Sequence, residues 1–106
     1  MSDDPPVRAL WLDGSEDEGR ILPGQVHTWR CRATKQADYV FRSTSRAILN
    51  LELSDKNGKV INEAKDSYTL EIKKELAPGT YYVTLSGRQA YSRGTYKLSA
   101  KRAGTE

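Results

Sequence analysis

The chemistries this chain lacks narrow its function first. Its 106 residues include one cysteine, Cys31, so neither an intramolecular disulfide nor a thiolate metal cluster can form. They include one histidine, His27, while a hydrolytic triad needs a nucleophile, a base and an orienting group together. Strand spacing puts His27 on the same face as Trp29, where a structural histidine with satisfied hydrogen bonds is the expectation. There is no Gly-x-Ser-x-Gly elbow, no phosphate-cradling glycine loop and no His-Glu-x-x-His pattern. No acid sits in a stretch that reads as a deep apolar pocket, so the chain reads as a non-enzyme. No run of 18 apolar residues exists, which excludes a helical membrane span. Residues 1–6 carry neither a basic region nor an apolar one, so no signal peptide is expected here.

What the chain has is strand chemistry. In residues 76–87, Leu-Ala-Pro-Gly-Thr-Tyr-Tyr-Val-Thr-Leu-Ser-Gly, Pro78-Gly79 is a type II turn signal. The following residues are almost all β-branched, aromatic or leucine. Side chains alternate along a strand, so Tyr81, Val83 and Leu85 face a core while Thr80, Tyr82 and Thr84 face outward. The same alternation puts His27, Trp29, Cys31 and Ala33 on one face and Thr28, Arg30 and Arg32 on the other. Tyr39 and Phe41 point inward with Arg42 outward. Leu49, Leu51 and Leu53 line a core face opposite Glu52, and Asn57-Gly58 marks a hairpin. Tyr68, Leu70 and Ile72 read as inward, as do Tyr96, Leu98 and Ala100. Residues 9–12 read as an edge strand with Trp11 over one end of the core.

The spacing of these strands and turns predicts an all-β domain, a sandwich or a barrel of about eight short strands. Residues 1–8 read as a flexible leader, 9–101 as the sandwich domain and 102–106 as a frayed tail.

Several motifs occur in an order that resembles the bacterial pre-peptidase C-terminal domain. They are Leu22-Pro23-Gly24-Gln25, the aromatic strand around Trp29, residues 51–58, the Leu-x-Pro-Gly-Thr-Tyr-Tyr-Val stretch and Gly94-Thr95-Tyr96-Lys97-Leu98. The resemblance runs from Leu10 to Lys101 and extends to collagen-binding domains of bacterial collagenases. It implies a single jelly-roll-like antiparallel β-sandwich and a secreted or periplasmic location. It also implies a non-catalytic accessory module that aids folding, secretion or substrate attachment.

Two stretches are candidate sites. Residues 13–18 hold Asp13, Glu16, Asp17 and Glu18, and clustered carboxylates can hold calcium. Related collagen-binding modules bind calcium through acids near the domain's N-terminus. This stretch lacks the Asp-x-Asp-x-Asp-Gly spacing of a dedicated calcium loop, so a solvated acidic turn is expected, with no metal and no cofactor. The second candidate is the surface spanning residues 82–94, where Tyr82, Arg88, Tyr91 and Arg93 can stack on a sugar or grip a carboxylate. Arg30, Arg32 and Arg42 extend it into a basic face.

The formal charge of +3 hides an asymmetry: residues 1–18 hold six acids and one base, and the other 88 hold 16 bases and 8 acids. That suits an anionic partner or self-pairing of the two regions. A protein or polysaccharide is a possible partner, and nucleic acid is disfavoured because no recognised motif is present.

Overall fold

The computed structural model describes residues 6–87 and 93–103. Among these residues there are seven strands: β1 (Arg8–Ala9), β2 (Asp13–Ile21), β3 (Val26–Ala33), β4 (Ala37–Ser54), β5 (Val60–Leu76), β6 (Gly79–Gly87) and β7 (Gly94–Arg102). No helix occurs among the described residues. About eight short strands were expected and seven occur among the described residues, because the pieces read separately at 39–43 and 47–53 are one 18-residue strand. Residues 60–62 and 68–73 likewise belong to one strand of 17 residues.

These two long strands make the sandwich. The first half of β4 pairs with β7, from Tyr39↔Arg102 to Ser45↔Tyr96. Its second half pairs with β6, from Leu49↔Gly87 to Ser54↔Tyr82. β5 follows both halves along the other edge of β4. One layer is therefore β2–β7–β4–β5, and the other is β1–β3–β6–β4–β5. The crossover sits where the β4–β5 register shifts between Thr44 and Leu49. There the Ser45 hydroxyl donates to the Ala47 carbonyl at 2.6 Å. Asp66 bends β5 with a φ of 62°, its N–H donating to Asn50 Oδ1 at 3.1 Å. All strand pairs are antiparallel except β1 with β3, so the sheet is mixed rather than wholly antiparallel.

The core follows the alternation. Trp29, Phe41, Leu49, Leu51, Leu53, Val83, Leu85, Tyr96 and Leu98 are all buried, while Thr84 and Glu52 are only partly so. Tyr81 is half-buried, packed against the core from its edge, with its hydroxyl on the Ala77 carbonyl at 2.7 Å. Tyr68 departs from expectation and is 55 % exposed. It is the single β5 residue opposite the four β4 residues between Thr44 and Leu49, so no neighbouring strand covers it. The Leu22–Gln25 turn is as expected, with Gly24 at φ 80° and Gln25 N–H bonded to the Leu22 carbonyl at 3.0 Å. At Gly79 the φ of 154° makes a bend instead of a type II turn.

Residues 13–18 are not a loop, and this corrects the sequence reading. They form most of β2, paired with β7 and bulged between Asp13 and Glu16. The strand's inward residues are Asp17, Gly19 and Ile21. Asp17 Oδ2 accepts the Trp29 indole N–H at 2.6 Å and lies 3.4 Å from the Arg8 guanidinium. Gly19 leaves room for Tyr96, since a Cβ built there would lie 2.5 Å from the Tyr96 hydroxyl.

That hydroxyl accepts from Arg8 Nη2 at 2.8 Å and lies 2.8 Å from His27 Nδ1. His27 Nε2 meets Gln25 Oε1, which can only accept, at 3.0 Å. Nε2 therefore donates to Gln25, and in that neutral tautomer Nδ1 accepts from the Tyr96 hydroxyl. His27 is thus the satisfied structural histidine expected. Burial raises the Tyr96 pKa, against a smaller lowering by Arg8. A raised pKa means that its stabilising effect is complete below the unfolded value of about 10 and fades as pH climbs beyond it.

Two outcomes follow from this packing. Gly19→Ala forces the Tyr96 ring aside and is expected to cost about 1–3 kcal/mol, read as a fall of several degrees in Tm. An unchanged Tm would show that Tyr96 yields freely. Millimolar calcium is expected to leave Tm in place, because Asp17 is already engaged. A folded-state ligand at a hundredfold excess over Kd would add about 2.7 kcal/mol, so a chelator-reversible rise of roughly ten degrees would make β2 a metal site.

Candidate ligand-binding groove

On the outer face of the β3–β6 pair, Arg30 stands opposite Tyr82 and Arg32 opposite Thr80. Period-2 alternation sends these side chains out while Trp29, Cys31 and Val83 fill the core. The segment leading from β1 to β2 then crosses beside this face. Leu10 N–H bonds the Arg30 carbonyl at 2.9 Å, its side chain is buried, and Trp11 is thrown outward. Trp11 is 69 % exposed, contrary to the expectation that it caps the core. The crossing leaves a groove of about 710 Å³ lined by Trp11, Leu12, Arg30, Arg32, Thr80 and Tyr82 among others.

A second cavity of about 490 Å³ adjoins it, with Leu12, Arg32 and Thr34 on the wall that both share. Its far side carries Asp13, Tyr39, Lys101 and Arg102. Arg30, Arg32 and Lys101 are exposed and make no salt bridge or side-chain hydrogen bond among the described residues. The Asp13 carboxylate accepts the Ser15 hydroxyl at 2.6 Å and the Ser15 N–H at 2.9 Å, which lowers its pKa. Cys31 is buried under the first groove, and desolvation pushes its thiol up to about 12. It is no nucleophile at neutral pH. Among the described residues no group of three or more His, Cys, Asp or Glu side chains is arranged to hold a metal ion.

The residues singled out from the sequence divide. Tyr82 is half-buried in the groove, with Arg30 and Arg32 beside it. Arg88 and Tyr91 lie outside the described residues. Arg93 is exposed just before β7, whose first residue, Gly94, lies near Ala47. Tyr82 pairs instead with Ser54, at the opposite end of that half of β4. Gly87 is five positions along β6 from Tyr82, or about 17 Å of strand. Tyr82 and Arg93 are therefore not one surface. Arg42 pairs with Glu71 and Ser99 in the other layer, which splits the expected basic face. Trp11, Leu12 and Lys101 were not foreseen as groove residues. The only local signal was the Ala-Leu-Trp-Leu run, whose single strand pairing ends at Ala9.

No family model matches this chain, and comparison with curated protein sequences finds no relative. Its fold does have solved counterparts. The pre-peptidase C-terminal domain of collagenase from Bacillus anthracis superposes with a TM-score of 0.79 at 15% identity, covering 91% of this chain and 95% of that one. A periplasmic inhibitor of g-type lysozyme from Aeromonas hydrophila gives 0.66 at 10% identity, covering 92% and 99%. A mitogen derived from Yersinia pseudotuberculosis gives 0.65 at 14% identity, covering 87% of each chain. Identities this low speak for the fold alone. The chain has the β-sandwich fold of a pre-peptidase C-terminal domain, as its sequence motifs implied.

Proposed function

We propose that this domain is a non-catalytic accessory module of an exported protein, and that it attaches its parent to a protein or polysaccharide through the Trp11–Tyr82 groove. One observation carries the reading. An indole 69 % exposed stands over a concavity walled by a half-buried tyrosine and two arginines without partners among the described residues. Large aromatics left in water beside unpaired guanidinium groups are the anchors that interfaces favour. The pre-peptidase domain of a collagenase and a periplasmic lysozyme inhibitor share the fold, which supports a role outside the cytoplasm. The surface of Arg88, Tyr91 and Arg93 is a separate proposal for the same task.

Paired variants separate the two surfaces. Binding is measured by pull-down on insoluble polysaccharides and on collagen, with Tm followed in parallel. Trp11→Ala with Tyr82→Ala is expected to lower affinity at least tenfold, about 1.4 kcal/mol, while Tm moves by only a few degrees. Arg88→Ala with Tyr91→Ala is expected to leave binding intact. Loss confined to the second pair moves the site to residues 88–93 and overturns the groove reading. So does binding that survives the first pair.

A further inference from the structure

The two cavities share a wall, and their exposed charge is predominantly positive. Arg30 and Arg32 are two residues apart on one face of β3, so their stems stand about 7 Å apart along the strand. Arg32 lies on the shared wall, and Lys101 faces the second cavity. A row of exposed cations thus runs from the aromatic groove into its neighbour, where Lys101 stands cross-strand from Asp13. Asp13, kept ionised by its two bonds from Ser15, is the one acid along this row.

We infer that the groove and its neighbour form a single trough for an acidic polysaccharide, with oxyanions of the sugar chain on Arg30, Arg32 and Lys101 and its rings against Trp11 and Tyr82. The inference rests on the groove reading above and adds the ligand's chemical class. Guanidinium groups take carboxylates and sulfates in paired hydrogen bonds. Aromatic rings cover the apolar C–H faces of pyranose rings, and the hydroxyls of Thr34 and Thr80 suit sugar hydroxyls. Nucleic acid fits less well, since its charge is far denser, one per about 1.7 Å of duplex, than a row of three spaced cations beside an ionised Asp13. An acidic peptide would gain most by adding a strand to a free sheet edge. Here the β3 edge at Trp29 and Arg30 is already taken by β1 and Leu10.

The test uses titration calorimetry with polygalacturonate, chondroitin sulfate and uncharged dextran, together with polyglutamate and single-stranded DNA. At least one acidic polysaccharide is expected to bind tenfold or more tightly than dextran and to weaken as salt rises. Polygalacturonate alone binding assigns a carboxylate ligand, and chondroitin sulfate binding more tightly assigns a sulfate. Arg32→Gln with Lys101→Gln is expected to lose tenfold or more on the acidic chain at unchanged Tm. Both positions are exposed, so folding is not at stake. Equal affinity for dextran overturns the inference. So does wild-type binding by the Arg32, Lys101 variant, or tighter binding of polyglutamate or DNA. If dextran binding needs Trp11 but neither cation, the acidic ligand falls and the groove stands. If acidic polysaccharide binding needs the cations but neither aromatic residue, the groove reading falls.

Discussion

The Tyr96 hydroxyl ties the two layers together. Tyr96 belongs to β7, in one layer, and its hydroxyl is bonded by Arg8 of β1 and by His27 of β3, in the other. A buried hydroxyl without partners would cost a few kcal/mol, so these bonds hold the layers in one registration. The ring itself packs edge-on against His27 and Trp29, with centroids 5.4 and 5.6 Å away. Arg8 also lies over the Trp29 ring at 5.2 Å and beside Asp17. One arginine near the start of the described chain thereby joins β1 to β2, β3 and β7. Residues 10–12 follow directly from β1, held by the Leu10 N–H on the Arg30 carbonyl, and their path borders the groove.

Most of the core was legible because it obeys a local rule. Alternation in β3, β6 and β7, and in the leucines of β4, needs only neighbouring residues to be read. Tyr68 and Trp11 escaped because their exposure depends on where another strand bulges or where the chain crosses. The long strands escaped for a related reason. Polar residues at 44–46 look like a break, yet they bridge two layers with the ladder on either side intact.

β2 is the most instructive miss. Its alternation was there in the sequence, but two of its three inward residues are Asp17 and Gly19. Neither looks like a core residue alone. Asp17 faces inward because the Trp29 indole N–H must donate to something, and Gly19 because Tyr96 needs the space. Each is explained by a partner remote in sequence. The site was readable in the same partial way. Tyr82, Arg30 and Arg32 were named from outward parity, but parity alone does not say which strands lie side by side. Pairing β3 with β6 kept these three together and sent Arg42 to the other layer.

Charge pattern separates the surfaces that only keep the domain soluble from the one read as functional. The outer edge of β5 is 17 residues long and has no partner strand among the described residues, a liability for edge-to-edge association. Along it the signs are mixed: Glu63 bonds Lys65 at 2.9 Å, and Asp66, Glu71, Lys73, Lys74 and Glu75 follow. Mixed signs on an edge discourage pairing without attracting any one ligand. The trough is different. Arg30 and Arg32 make no ion pair among the described residues and stand beside aromatic surface, an arrangement that protecting an edge does not require. On the reading proposed above, an acidic ligand supplies the counter-charge that this surface otherwise leaves to water.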